Sequence, residues 1–259
     1  MSKLAIITGA SSGIGAEFAK QLSAQGYSLL LIARREEQLK KVAQHLTTPT
    51  DLLALDLTQK EAIDQILNFL DQRNLCPALL INNAGFGILG PTLETDFETY
   101  DQMIELNVKA LTRLTLSIAS LMKSQTPGQI LNVASIAAFC PCPKMAVYGA
   151  TKAFVLAFSE NLAMDLRPYG ITVSALCPGP TRTSFWQTAG VNQTDSFDLW
   201  MSDSTTVVRD ALVTLEKQKI NQIPGWSNKA LSIAIKFVPR NLSCLIAQKI
   251  FSWVIEKNK

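Results

Sequence analysis

The sequence predicts an α/β protein, a doubly wound, Rossmann-like parallel sheet of about seven strands, and two observations carry that prediction. Short β-type apolar runs alternate along the chain with longer stretches of helical spacing, the pattern of strands joined by crossover helices. Several runs, such as Leu29-Leu30-Leu31-Ile32 and Leu79-Leu80-Ile81, are apolar without interruption, as expected when helices cover both faces of a sheet. A chain of 259 residues, 47% hydrophobic and 17% charged, can form one large core without disulfides or metals. No repeat, low-complexity tract or Ser/Gly-rich linker interrupts the alternation, so residues 1–259 read as a single domain.

Taken in order, the strands are expected at 4–8, 28–33, 51–56, 78–83, 129–134, 171–176 and 220–223, with helical patterns between them. Glu36 and Glu37 suit the first turn of the helix after the second strand, where acids complement the helix dipole. A long helical stretch runs from Ala146 to Leu166 and is closed by Pro168 and Gly170. Residues 178–219 break the rhythm with Gly179, Pro180 and Gly190 and a scatter of Phe185, Trp186, Phe197 and Trp200. This reads as a substrate loop or lid over about 180–219.

The net charge of +3 does not call for a nucleic-acid partner, but the charge is unevenly spread. Residues 217–259 carry eight Lys/Arg against Glu256 alone, whereas residues 1–216 carry 16 against 20 acids. No run approaches the ~18 apolar residues of a membrane span, and the apolar start at Leu4 is too short for a signal-peptide core, so a cytoplasmic location is expected. Five cysteines without a CxxC spacing, and a single histidine, His45, give no metal site.

The first strand runs into Thr8-Gly9-Ala10-Ser11-Ser12-Gly13-Ile14-Gly15, after which helical spacing resumes at once. A strand, a glycine-rich turn and a helix start put free backbone N–H groups and the positive end of a helix dipole against a pyrophosphate. The spacing is GxxxGxG rather than GxGxxG, so the generic dinucleotide fingerprint does not fit as written. The second strand ends in Ala33-Arg34-Arg35, two guanidiniums and no acid, where a ribose 2′-phosphate would lie. That favours NADP(H) over NAD(H).

Tyr148 and Lys152 stand four residues apart within the long helical stretch and so share one face. An ammonium beside a phenol favours the phenolate, and lowering a tyrosine pKa by three units corresponds to about 4 kcal/mol. Ser135 ends the fifth strand, where ligands of open α/β sheets sit. Asn82-Asn83-Ala84-Gly85 ends the fourth, with amides that can brace the sheet or a cofactor, and Asn107 falls inside the next helical region.

Together, Thr8-Gly9-xxx-Gly13-x-Gly15, Asp56-Leu57, Asn82-Asn83-Ala84-Gly85, Asn107, Ser135, Tyr148-xxx-Lys152 and Pro178-Gly179 resemble the classical short-chain dehydrogenase/reductase family, in order and spacing from about residue 3 to 183. The resemblance implies Tyr148 as general acid in carbonyl reduction, Ser135 as hydrogen-bond partner of the carbonyl oxygen, and Lys152 as holder of the nicotinamide ribose and tuner of Tyr148. It implies that Asn107 holds a water relaying protons to Lys152. For the cofactor it implies Gly9, Ser11, Ser12, Gly13, Ile14 and Gly15 at the phosphates, and Arg34 with Arg35 at the 2′-phosphate. Asp56 and Leu57 would meet the adenine, Asn83, Ala84 and Gly85 the adenosine side, and Pro178, Gly179 and Thr183 the nicotinamide half. It also implies a homodimer or homotetramer. The stretch from Tyr148 to Glu160, with Ile223-Pro224-Gly225 and Asn228-Lys229, resembles a branch containing long-chain 3-oxoacyl and 17β-hydroxysteroid reductases.

The expected reaction is therefore NADP(H)-dependent interconversion of a carbonyl and a secondary alcohol on an apolar substrate. Phe86, Phe139, Met145, Phe185 and Trp186 are the expected lining, and no arginine cluster awaits an acidic substrate. A 3-oxoacyl thioester or steroid reductase is the alternative within enzymes, and a non-catalytic NADP(H)-binding regulator the alternative outside them. Pro239 divides the basic C-terminal segment, about 226–259, into two short helices whose apolar positions run from Leu231 to Val254. That segment reads as packed on the core or on another subunit, with an apolar, basic flap beside the substrate entrance that touches an anionic membrane surface as the rival reading.

Overall fold

The computed structural model describes residues 3–123, 127–190 and 201–257. Phe197 and Trp200 lie outside the described residues, as do the side chains of Ile250, Phe251 and Val254. Seven parallel strands form one sheet: β1 (Leu4–Thr8), β2 (Ser28–Ala33), β3 (Thr50–Ala54), β4 (Pro77–Asn82), β5 (Gly128–Val133), β6 (Ile171–Leu176) and β7 (Asn221–Gln222). Their order is β3-β2-β1-β4-β5-β6-β7. The chain winds outward from β1 in one direction and then crosses back to β4, leaving a crevice beyond the carboxyl ends of β1 and β4.

Alternation along each strand sorts the core into two layers. Ile6, Leu30, Ile32, Leu80 and Ile130 face one side, where they meet Ile63, Ile66 and Leu70 of α3 (Ala62–Gln72), Leu114 and Ile118 of α5 (Leu111–Met122) and Leu162 of α6 (Ala146–Leu166). Ala5, Ile7, Leu29, Leu31, Leu79 and Ile81 face the other, under Phe18 and Leu22 of α1 (Gly13–Ala24) and Leu39 of α2 (Glu36–Ala43). The register of β1 on β2, with Ile6 opposite Leu30 and Ile7 opposite Leu31, keeps both layers aligned. A helix α4 (Phe97–Ile104) is capped by Asp96, whose carboxylate accepts the Thr99 N–H, and passes through a π-helical turn, Glu105–Ala110, into α5.

Among the described residues the remaining helices are α7 (Phe185–Thr188), α8 (Ser204–Glu216), α9 (Trp226–Ala234) and α10 (Arg240–Lys257), with a 3-10 turn, Ile235–Phe237, between the last two. The expected lid over 180–219 divides here. Residues of α8 are core: Val207, Val208, Ala211, Leu212 and Leu215 are buried in the layer that holds α1. Their i, i+4 spacing, diluted by polar residues in the sequence, is what the aromatic scatter before it obscured. Pro239 does separate two helices, but the second runs for 18 residues rather than being short, because Pro directly before its first turn removes no helical hydrogen bond.

A buried polar ladder ties the sheet to two helices. Asn82 Nδ2 donates to Thr115 Oγ1 at 2.8 Å and to Asn132 Oδ1 at 2.9 Å, Asn132 Nδ2 donates to Ser159 Oγ at 3.0 Å, and Ser159 donates to the Val155 carbonyl at 2.7 Å. Each group is paired, so the ladder fixes β4 and β5 against α5 and α6 just beneath the crevice.

Candidate active site

The turn after β1 is held by close contacts that only glycine permits. Gly9 has φ +64°, and a Cβ there would lie 2.8 Å from Asn83 Nδ2 and 2.9 Å from Ala84 Cα. A Cβ at Gly15 would overlap the Gly9 carbonyl, so the third glycine sets how tightly α1 approaches the turn. The Thr8 hydroxyl accepts the N–H groups of Asn83 and Ala84, each at 3.0 Å, and Asn83 Nδ2 donates to the carbonyls of Thr8 and Gly9 at 3.0 and 3.2 Å. Asn82 therefore braces the sheet and Asn83 fastens the loops after β1 and β4 together. The loop after β6 closes the far side: the Thr183 side chain abuts Gly13, and the Ser184 hydroxyl donates to Ser12 Oγ at 3.2 Å.

Above these loops lies a cavity of about 820 Å³ at the carboxyl ends of the strands. Gly9, Ser11, Ser12, Gly13 and Ile14 line one end, with Arg34, Arg35, Asp56 and Leu57 at its rim and Asn83, Ala84 and Gly85 along its floor. Arg35 Nη2 reaches Ser11 Oγ and Ser12 Oγ at 3.4 and 3.5 Å, and Arg34 Nη1 stands 4.0 Å from the Asp56 carboxylate, which Thr58 holds through its N–H and hydroxyl. Two solvated guanidiniums next to serine hydroxyls and a bare glycine turn fit a dinucleotide with a phosphate on its adenosine ribose. Pro178, Gly179 and Thr183 line the other half, and of the expected cofactor residues only Gly15 does not reach the cavity.

Ser135, Tyr148 and Lys152 meet on that wall. Ser135 follows β5, where its Oγ accepts the Ala137 N–H at 3.1 Å and caps a short 3-10 turn, Ile136–Ala138. That leaves its hydroxyl proton for another acceptor. Tyr148 and Lys152 lie on one face of α6, both buried, and Lys152 Nζ donates to the Val133 carbonyl at 2.7 Å. The ammonium sits 5.8 Å from the Tyr148 ring centre. Asn107 falls in the π-helical turn, 1% exposed. Its Nδ2 donates to the Phe86 carbonyl at 2.9 Å and to Thr151 Oγ1 at 3.1 Å, and its Oδ1 accepts the Phe86 N–H at 3.1 Å. Its side chain is thus occupied in fixing the loop after β4 against α6. A Cβ at Gly85 would approach Asn107 Oδ1 to 2.9 Å and Lys152 Nζ to 3.4 Å, so all three close on one point.

The electrostatics correct one expectation. Lys152 was expected to pull the Tyr148 pKa down, yet burial pushes it up to about 12, against a smaller opposing effect of the Ser135 hydrogen bond. Burial moves Lys152 the other way, down to about 8. The ammonium is directed at the Val133 carbonyl, and desolvation of the buried phenol sets the direction of its shift.

On the substrate side, Phe86, Phe185 and Trp186 line the cavity, with the Phe185 ring 5.5 Å from that of Tyr148. Phe139 and Met145 do not. Met145 is buried with Met103 against Tyr148, and Phe139 packs on the cluster of Leu111, Ala134 and Val155. Sequence reasoning missed Cys140 and Cys142, carried into the wall by the turn after Ser135; Leu231, Ile235, Val238 and Ile246 of the C-terminal segment, weighed in the sequence as a flap beside the substrate entrance, also line the cavity. Asn228, noted in the sequence only as part of the branch pattern, donates its amide to the Pro224 carbonyl at 2.9 Å and lies against Gly179.

Comparison with known proteins agrees with this geometry. Residues 3–194 match the family model described as short chain dehydrogenase. An uncharacterized oxidoreductase of Staphylococcus epidermidis is 36% identical over 181 residues, covering 70% of this chain and 79% of that protein. A short-chain dehydrogenase from Sphingobium yanoikuyae, solved in complex with NADPH, superposes with a TM-score of 0.81 at 33% identity, over 90% of this chain and 92% of that one. The bulky-bulky ketone specific alcohol dehydrogenase from Comamonas testosteroni does so at 0.75 and 30% identity, over 92% and 95%. The glycine-lined turn, the Ser-Tyr-Lys wall and these matches together make the chain a member of the short-chain dehydrogenase family of oxidoreductases.

Proposed function

We propose that this protein reduces the carbonyl of an apolar ketone to a secondary alcohol, or runs the reverse reaction, with NADP(H) as cofactor. The observation that carries the reading is the convergence of Ser135, Tyr148 and Lys152 on a wall that also bears Phe86, Phe185 and Trp186, facing a cradle of glycines flanked by two arginines. Gly9 to Ile14 would hold the pyrophosphate, Arg34 and Arg35 the 2′-phosphate, and Pro178, Gly179 and Thr183 the nicotinamide half. When bound, the nicotinamide supplies the hydride.

The roles of the side chains follow from their settings. A phenol with its pKa near about 12 keeps its proton at neutral pH, so Tyr148 donates from Oη as charge develops on the substrate oxygen. Ser135, its oxygen already engaged by the Ala137 N–H, donates its own proton to that same oxygen and fixes the carbonyl's direction. Lys152, cationic at neutral pH, stands between the Val133 carbonyl and Gly85, placed to hold a ribose hydroxyl and to stabilise the phenolate that Tyr148 becomes. Asn107 positions the loop that carries Gly85 and Phe86. The Sphingobium neighbour bound to NADPH supports the cofactor, and the Comamonas enzyme's title, naming bulky-bulky ketones, supports the substrate class.

The test is cofactor consumption against a panel of aliphatic, aromatic, steroid and acyl ketones with NADPH and NADH. Turnover of an apolar ketone with NADPH at least about tenfold more efficient than with NADH is expected, because a charge-assisted contact contributes roughly 1.5–3 kcal/mol. Equal efficiency with both would remove the arginines' role, and no turnover of any ketone or alcohol would remove the reading.

A further inference from the structure

Among the described side chains of α9, α10 and the turn between them, the buried residues are Ser232, 3% exposed, and Ser243, 6% exposed, while Trp226 of α9 and Phe237 of the turn are 84% and 83% exposed. Ile233, Leu242 and Leu245 are also exposed, while the half-exposed Leu231 and Ile246 line the cavity. The serines need no partner, since each hydroxyl donates to a carbonyl of its own helix, Lys229 and Arg240 respectively. The apolar side chains do need one: a patch this large, on adjacent turns of one segment, is not the scattered exposure of an ordinary surface.

We propose that α9, α10 and the turn between them dock on an anionic phospholipid surface, with the cavity mouth facing the bilayer. Charge selects this occupant over a second copy of the chain. Lys229, Lys236, Arg240 and Lys249 are exposed on the same segment as the apolar residues, and residues 226–249 contain no acid. A two-fold contact through this face would set like charges together, whereas lipid phosphates neutralise them. Among the described residues no helix is long and apolar enough to cross a membrane, which leaves the helices lying flat in the interface. The same elements wall the cavity, through Leu231, Ile235, Val238 and Ile246, so a docked helix pair opens the apolar pocket towards the acyl region. The substrate class that follows is an apolar ketone partitioned into lipid. That last step rests on the proposed carbonyl reduction, while the docking does not.

The experiment is sedimentation of the intact protein with vesicles of phosphatidylglycerol and phosphatidylcholine at low ionic strength, beside pure phosphatidylcholine vesicles. Binding to the anionic vesicles, weakened by salt, is expected. The pair Lys229→Glu and Lys236→Glu should lower it at least tenfold, since each basic residue near such a surface contributes roughly fivefold in affinity. The pair Trp226→Asp and Phe237→Asp should abolish it while leaving turnover of a water-soluble ketone unchanged. Absence of salt-sensitive binding by the intact protein overturns the proposal. So does a dimer, seen by sedimentation equilibrium, that the Trp226→Asp and Phe237→Asp pair dissociates, because a second copy would then own the face. Binding is read without turnover, so a failed vesicle experiment leaves carbonyl reduction standing and a failed ketone panel leaves docking standing.

Discussion

The loops after β1 and β4 and the helix pair α9–α10 border the same cavity and are made in opposite ways. In the first region the Thr8 and Asn83 side chains fasten the two loops together through four hydrogen bonds, and glycines sit where a Cβ would collide with backbone or amide. In the second Trp226, Ile233 and Phe237 are exposed, Leu231 and Ile246 line the cavity, and Ser232 and Ser243 are buried. The difference separates two demands. A site that orients small groups to fractions of an ångström has to be over-determined by its own chain, whereas a wall that admits bulky apolar material needs little more than area and a complementary exterior.

Tyr148→Phe is the hardest test of the over-determined half. It removes one hydroxyl in a packed site, so fold and cofactor affinity should persist while turnover falls by about 10²–10⁴, measured by steady-state rates beside cofactor titration. Near-normal turnover would assign the proton to another group. Gly15→Ala should act on folding instead, destabilising by roughly 1–3 kcal/mol in urea titration, because its methyl would overlap the Gly9 carbonyl.

Arg34→Asp should lower the NADPH to NADH preference by at least about tenfold, read as a ratio of kcat/KM values. The pH dependence gives a smaller effect with a definite sign. Lys152 loses its charge as pH rises through about 8, while Tyr148, near 12, keeps its proton. Cofactor affinity should therefore fall severalfold between pH 7 and 9, and Lys152→Met should show no such slope over this range. The smallest effect belongs to the loose half: Phe237→Ser, at a residue 83% exposed, should change stability by no more than about 0.5 kcal/mol. A large loss there would mean that the side chain packs against something in solution, and the contrast between the two regions would fail.

What the sequence determined by itself was whatever depends on neighbours along the chain. Strand periodicity fixed β1 to β7 to within a residue or two, the 3.6-residue period together with Pro168 and Gly170 fixed α6, and the four-residue spacing put Tyr148 and Lys152 on one face. The order of motifs was enough to identify the family, because glycine turns and strand-end asparagines are required by contacts that few other residues satisfy. Tertiary structure decided what depends on distant contacts. It buried α8 where a lid was expected, turned Phe139 and Met145 away from the cavity, and brought in Leu231 and Ile246, some eighty residues or more beyond the tyrosine in sequence. It also set the sign of the Tyr148 shift, because burial is a sum over the whole fold, and the direction in which an ammonium points is chosen by the nearest carbonyl rather than by its spacing from a phenol.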